Sequence, residues 1–343
     1  TTLLSNPCDL VFTINFFPSI SEVCRIMKIP YISWIVDSPV MELFTKPIQN
    51  ECNYVFLFDK EQYNEIAPLN PGHIFHFPLA VNISSKQNII KQATDKSLSK
   101  FHSDVSFVGS LYTEKNPYDK LDGISEYTKG YLDGMLESQL NIYGYYFIED
   151  QLPQNIIDDF KLHMPNYYQY PMDNFLTDRI IISQLYIGNK ITAMERQRLL
   201  DRLSSRFEID LYTGSDTSYL PHVCNRGFAK TLTEMPIIFN QSKINLNPTS
   251  KAIRSGIPLR VFDIMACEGF MLSNYQCELA EFFVPCEDYD YYTSFEEAIE
   301  KTQYYLDHDN IRREIAHNAF EKVAELYNYP RRLNEMLNIV FNH

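Results

Sequence analysis

The stretch richest in chemistry runs from Ser242 to Asn274, SKINLNPTSKAIRSGIPLRVFDIMACEGFMLSN. Residues 244–246 read as a buried strand that ends in Asn247 and a polar loop holding Lys251 and Arg254. Gly256 supplies a flexible turn. Pro258 suits the first turn of a helix, where its missing N–H would be unpaired in any case. That helix points its N-terminus at the loop. Free N–H groups, the positive end of the helix dipole and a nearby guanidinium together make an anion site, most naturally for phosphate. Asp263 follows Pro258 by five residues, and a carboxylate there can accept two hydrogen bonds from ribose hydroxyls. A plainer reading stays open: Arg260 and Asp263 are three apart on one helix and can pair at its surface.

A second candidate lies near the N-terminus. Asp37 follows the β-rich run 31–36 (YISWIV) and precedes Ser38-Pro39. Carboxylates at the C-terminal ends of parallel strands face the ligand crevice, although a turn or cap accounts for an Asp there equally well. Asn15-Phe16-Phe17 ends the preceding strand on the same edge, so both segments are placed to line a ligand cleft. The chain has only 11 glycines, and Gly109, Gly214 and Gly256 all fall at strand-end turns near that cleft. No metal site is expected: His76 and His222 have no second ligand at metal spacing. Asp288-Tyr289-Asp290 spells DxD in a late loop, far from the anion signature, and reads as a chance match. Tyrosine-rich stretches such as 143–146 (YGYY) suit stacking on sugars or ordinary packing.

These residues need a frame. Runs at 10–15, 31–36, 54–58 and 74–77 alternate with helical stretches at 18–27 and 61–66. The runs lack strict alternation, which points to strands buried on both faces of a parallel sheet. Residues 83–103 are polar and read as a linker. A new sheet starts at 104–108. A helical block at about 118–206 follows, with helices at 127–136, 155–163, 174–185 and 192–203 and a short strand at 141–143. Alternation then resumes: strands at 207–212, 244–247, 270–274 and, at the edge, 289–292, with helices between and helices to the end.

Composition sets the outer limits. A chain of 343 residues is too long for one ordinary core. It is 45% hydrophobic, which excludes disorder, and its net charge of −14 disfavours a nucleic-acid coat. No run of about 18 apolar residues suggests a transmembrane helix. Seven cysteines, none in a CxxC pair, fit a reducing cytoplasm. The N-terminus lacks both a signal-peptide pattern and a starting Met, and the first domain reads as truncated.

The run 255–267 (SGIPLRVFDIMAC) resembles the donor-site signature of GT-B glycosyltransferases. More narrowly, INLN, SGIPLR and FD before MAC, with YISWIVDSP and VSFVGSLY, resemble the CgeB-like (spore maturation) glycosyltransferases. The resemblance covers most of the chain. It implies an α/β, GT-B-like fold: two Rossmann-like domains with parallel sheets facing a cleft and a helical insertion in the second. The domains would be 1–95 on the acceptor side and 96–328 for the nucleotide sugar, with a C-terminal helix at 329–343 crossing back. Carried over by residue, Asp263 matches the ribose-binding carboxylate, Asp where the wider superfamily has Glu. Ser255 stands where that superfamily has its first Glu, which contacts the transferred sugar. Gly109 and Lys115 match the glycine and lysine of the diphosphate loop, whose arginine is replaced by Ser110. Arg254 or Arg260 would supply the missing charge.

The expected activity is that of a hexosyltransferase moving a sugar from a UDP- or GDP-sugar to a hydroxyl of a glycan or protein acceptor. It would be retaining, metal-independent and in need of no cofactor. Asp37 and Arg254 are the catalytic candidates. Gly109, Ser110, Lys115, Gly214, Asn247, Lys251, Arg254, Gly256, Arg260 and Asp263 are the donor-site candidates. The leaving diphosphate must be stabilised electrostatically. A non-catalytic nucleotide- or glycan-binding module is the alternative.

Overall fold

The computed structural model describes residues 5, 8–114 and 116–342. Two parallel sheets carry the chain, as the buried apolar runs lead one to expect. The first contains β1 (Val11–Ile14), β2 (Tyr31–Trp34), β3 (Asn53–Leu57) and β4 (Ile74–His76), in that order across the sheet. Helix α1 (Pro18–Met27) connects β1 to β2, and α2 (Lys60–Ile66) connects β3 to β4. Strand β2 is buried throughout. Strand β1 is the edge, so its Phe12 and Ile14 are exposed, which departs from burial on both faces. Tyr31, Val55 and Leu57 pack with Phe16 and Cys24 on one face. Ile32, Trp34 and Phe56 lie on the other, in one cluster with Phe262 and Met336 from the far end of the chain.

Residues 83–103, expected to be a linker, hold two helices, α3 (Ile83–Lys91) and α4 (Asp95–Lys100). Asn82 and Thr94 cap them, each accepting the backbone N–H of the third residue of its helix, Ser85 and Ser97. The lysines that make the segment look solvated sit on the outer faces, except Lys86, which pairs with Asp263 at 2.8 Å.

The second sheet has six strands: β5 (Ser103–Val108), β6 (Ile209–Tyr212), β7 (Cys224–Asn225), β8 (Ser242–Asn247), β9 (Met271–Asn274) and β10 (Asp290–Tyr292). Their order is β10-β9-β8-β5-β6-β7. The chain thus builds outward from β5 in one direction, then returns to place β8 on its other side. In an open parallel sheet, the crevice at the carboxyl ends of the strands beside such a reversal is where ligands bind. Here that crevice lies between β5 and β8.

The helical block between β5 and β6 contains α5 (Glu126–Leu140), α6 (Gln154–His163), a turn at Asp178–Ile180, a π-helical segment (Ile181–Ile187) and α7 (Gly188–Ser204). It has a core of its own, built on Leu132, Ile156, Phe160 and Ile182. No strand forms at 141–143; Asn141 ends α5 instead. The block also reaches the first domain, where Phe175 N–H donates to Phe44 O and Lys46 pairs with Asp173. Helix α8 (Met235–Gln241) precedes β8, and after β8 come α9 (Leu259–Ala266), α10 (Cys277–Phe282), α11 (Phe295–Asp307) and α12 (Asp309–Leu326). The last helix, α13 (Tyr329–Asn342), returns to the first sheet, where Tyr329 meets Trp34 edge-on at 5.9 Å.

Candidate active site

The crevice between β5 and β8 opens into a cleft cavity of about 300 Å³ that both domains line. The loop after β5 contributes Gly109, Ser110 and Tyr112. The loop after β8 contributes Asn247, Thr249 and Ser250, and the start of α9 contributes Pro258, Leu259 and Arg260. Across from them stand Val36, Asp37 and Ser38, just past β2. Five sequence-derived candidates are therefore brought together: Asp37, Gly109, Ser110, Asn247 and Arg260.

A residue that the sequence reading missed completes the cleft. Arg196, on α7, lines it and binds the loops on either side. Its Nη1 donates to Ser110 O at 2.6 Å, and its Nη2 and Nε donate to Pro248 O at 2.8 and 3.2 Å. Its guanidinium also lies over the Tyr112 ring, 4.7 Å from the centroid. One planar cation thus fixes the spacing of the β5 and β8 loops. No motif marks this arginine. The available signal was helical spacing, since Arg196 shares a face with buried Thr192, Leu199 and Leu203.

Arg196 and Arg260 set the electrostatics. Burial pulls the Arg260 pKa down to about 10; Asp263 opposes that shift and Arg196 adds to it. Burial likewise lowers the Arg196 pKa. Among the described residues, neither guanidinium has a carboxylate within ion-pair distance. Two under-compensated cations at a helix N-terminus favour an anion between them. The plainer reading of Arg260 and Asp263 as a surface pair does not hold, because Asp263 Oδ1 pairs with Lys86.

Four candidates point elsewhere. Arg254 Nη2 is bound by Glu65 Oε2 at 2.5 Å, with Glu149 at 3.9 Å, and its backbone N–H donates to Asp59. It ties the second domain to the first and is not part of the cavity lining. Gly256 serves the same junction: a Cβ there would lie 2.7 Å from Asp59 Cα. Lys251 is buried, 3.5 Å from Glu195 and 3.9 Å from the Tyr143 ring centroid. Gly214 has nothing within 4 Å of where its Cβ would be and lies outside the cavity lining. Lys115 lies outside the described residues.

Ser255 also belongs to the junction. Its hydroxyl is 2.9 Å from Asp59 Oδ1 and 2.5 Å from Glu278 Oε1, and it accepts the Glu61 N–H. Glu278 in turn accepts the Lys60 N–H and meets His76 Nε2 at 2.8 Å, so His76 is structural. Asp288 pairs with Lys322, and Asp290 with Lys301 and Tyr305. Tyr143 and Tyr146 are packing residues: Tyr143 meets Tyr292 edge-on and Tyr146 donates to Ser183 O.

The architecture is that of the GT-B glycosyltransferases. Residues 196–338 match the family described as glycosyl transferase-like, a match that begins at Arg196. No curated protein matches the chain. Among solved structures, a glycosyltransferase from Rickettsia africae superposes with TM-score 0.52 at 12% identity, covering 99% of this chain and 78% of that one. HepE from Anabaena, solved with UDP and glucose, gives 0.55 at 11% identity, covering 99% and 79%. A UDP-forming trehalose-phosphate synthase from Burkholderia xenovorans gives 0.52 at 11%, covering 99% and 75%. The fold and the matched segment together support a glycosyltransferase. No helix of the described residues is long and apolar enough to cross a membrane.

Proposed function

We propose that the chain binds a nucleoside-diphosphate sugar in the cleft and transfers its glycosyl group to an acceptor hydroxyl. The observation that carries this reading is the pair of guanidiniums, Arg196 and Arg260, facing one cavity at the sheet's switch point without a carboxylate within ion-pair distance among the described residues. Breaking the glycosidic bond leaves negative charge on the diphosphate. Preorganised cations and helix N–H groups stabilise that charge most effectively where water is excluded. Arg260 with the start of α9, and Arg196 from α7, supply this charge in the cavity lining. Asp263, which lies just outside the cavity lining and pairs through Oδ1 with Lys86, is the candidate for the ribose hydroxyls. Asp37 positions the acceptor hydroxyl from the first domain.

In this proposal the donor is a UDP- or GDP-sugar, and UDP is favoured by HepE, which binds it in a similar fold. The reaction is metal-independent in this proposal, since two guanidiniums carry the charge that a divalent cation would otherwise offset, and retention of configuration rests on the resemblance of residues 255–267 to the GT-B donor signature. The CgeB-like subtype rests on the SGIPLR and VSFVGSLY segments. Seven unpaired cysteines fit a cytoplasmic setting.

One observation favours a second reading. The position where the wider superfamily holds a sugar-contacting Glu is Ser255, and its hydroxyl is taken up by Asp59 and Glu278. A module that binds nucleotide without catalysis would tolerate that. Release of UDP or GDP from UDP-glucose and GDP-mannose, with and without EDTA, separates the two. Turnover that survives EDTA supports the enzyme. Binding without turnover of any donor supports the module.

A further inference from the structure

The two walls of the cleft belong to different domains, and one buried carboxylate joins them. Asp59 lies just past β3 and is fully buried. Its Oδ2 accepts the Ser38 hydroxyl at 2.8 Å and the Arg254 N–H at 3.1 Å. Its Oδ1 accepts the Ser255 N–H at 3.3 Å and lies 2.9 Å from the Ser255 hydroxyl. Ser38 is part of the cleft lining, next to Asp37. Residues 254 and 255 open the short segment that leads through Pro258 to Arg260 on the opposite wall. A single side chain therefore ties one wall to the other.

An aspartate just before a helix ordinarily caps it. Asp59 makes no such bond to α2. The N–H groups at the start of α2 go to second-domain side chains instead: Lys60 N–H donates to Glu278 Oε1 at 2.8 Å, and Glu61 N–H to the Ser255 hydroxyl at 3.1 Å. The exchange is reciprocal, each domain satisfying backbone donors of the other. Asp59, Ser255 and Glu278 are all buried, so parting the domains here would leave several polar groups without partners. The backbones also approach closely, since a Cβ on Gly256 would lie 2.7 Å from Asp59 Cα. Every bond in this set is between groups of the protein itself.

We infer that Asp59 is a positioning residue for the transfer step: it pins the segment carrying Arg260 against the wall carrying Asp37 and so presets the width of the cleft. This rests on the proposed function for what the width serves. Neither Asp59 nor Ser255 lines the cavity, so both act through the residues they hold. The nucleotide-binding guanidiniums, Arg196 and Arg260, both belong to the second domain. Nucleotide binding therefore survives a loosened pin, whereas transfer, which needs both walls in register, does not.

The test combines shape with kinetics on wild type, Asp59→Asn, Ser255→Ala and Ser255→Thr, well below each melting temperature. Small-angle X-ray scattering is recorded with and without UDP, UDP is titrated calorimetrically, and turnover of UDP-glucose and GDP-mannose is measured. The radius of gyration of wild type should be the same with and without UDP. Asp59→Asn, whose amide nitrogen cannot accept the Ser38 and Arg254 donors, should be larger and contract on binding UDP. In Asp59→Asn and Ser255→Ala, kcat should fall at least about tenfold while the Kd for UDP stays within twofold. Ser255→Thr keeps the hydroxyl and should recover kcat. A merely structural part would lower the melting temperature and leave kcat unchanged. Wild type that contracts on binding UDP, or wild-type kcat in both Asp59→Asn and Ser255→Ala, overturns the pin. Turnover of neither donor by wild type speaks against the transfer reading alone. Scattering then decides the pin, and equal radii for wild type and Asp59→Asn overturn it.

Discussion

Arg254 Nη2 sits 2.5 Å from Glu65 Oε2, a second-domain cation held by a first-domain carboxylate. Both side chains are largely buried, at 14% and 20% exposure. Removing one partner strands the other, and breaking such pairs costs about 3–5 kcal/mol. Arg254→Met is expected to lower the thermal midpoint by several degrees while leaving UDP affinity within about twofold. A fall in affinity of tenfold or more, at unchanged stability, would return Arg254 to the donor site.

The same pair gives a pH signature. Burial raises the Glu65 pKa, neighbouring Glu149 adds to the rise and Arg254 opposes it. Without Arg254, the folded-state pKa rises further. A carboxyl raised on folding favours the folded state at low pH, and that contribution is lost as pH climbs through the raised value. The stability gap between wild type and Arg254→Met should therefore narrow as pH falls from 8 to 5. Urea midpoints at the two pH values check this, and a gap that widens on acidification contradicts it.

Two glycines provide a steric contrast. Gly256→Ala places a methyl 2.7 Å from Asp59 Cα and 2.8 Å from the Phe58 ring, so the domains must separate locally. Overpacking of this kind costs about 1–3 kcal/mol. Gly214→Ala meets nothing within 4 Å and should be neutral to within about 0.5 kcal/mol. Equal denaturation midpoints for the two variants would show that the junction is looser than described.

Asp263 and Arg260 should separate ribose from phosphate. Asp263→Asn is expected to weaken UDP about tenfold, the scale of one charged hydrogen bond, while leaving inorganic pyrophosphate unaffected. Arg260→Ala is expected to weaken both ligands. Competition titrations with pyrophosphate check the pair, and a loss of pyrophosphate binding in Asp263→Asn would speak against a ribose contact.

Much of this frame was legible in the sequence, because buried parallel strands write themselves as short apolar runs. Nine of the ten strands fall where such runs occur; β7, two residues long, leaves no run to read. Residues 83–103 were misread because their helices are amphipathic only weakly and none of their residues in α3 or α4 is fully buried. At the site, Asn247 and Arg260 were recoverable because loop and helix start are contiguous in sequence, whereas Gly109, on the loop after β5, was read from the resemblance of that loop to the family's diphosphate loop. Arg254 and Gly256 share that local signal, yet their partners, Glu65 and Asp59, lie about two hundred residues away. Sequence spacing carries no information on such contacts. Arg196 was hidden for the same reason, since its value lies in joining Ser110 to Pro248 from a third element.

The central claim is that Arg196 and Arg260 hold the donor's diphosphate. Calorimetric titration of UDP into wild type, Arg196→Ala and Arg260→Ala at one fixed ionic strength tests it most directly. Each substitution removes a charged hydrogen-bond donor worth about 1.5–3 kcal/mol, so each should raise the Kd at least tenfold. Affinities within twofold of wild type in both variants would contradict the account.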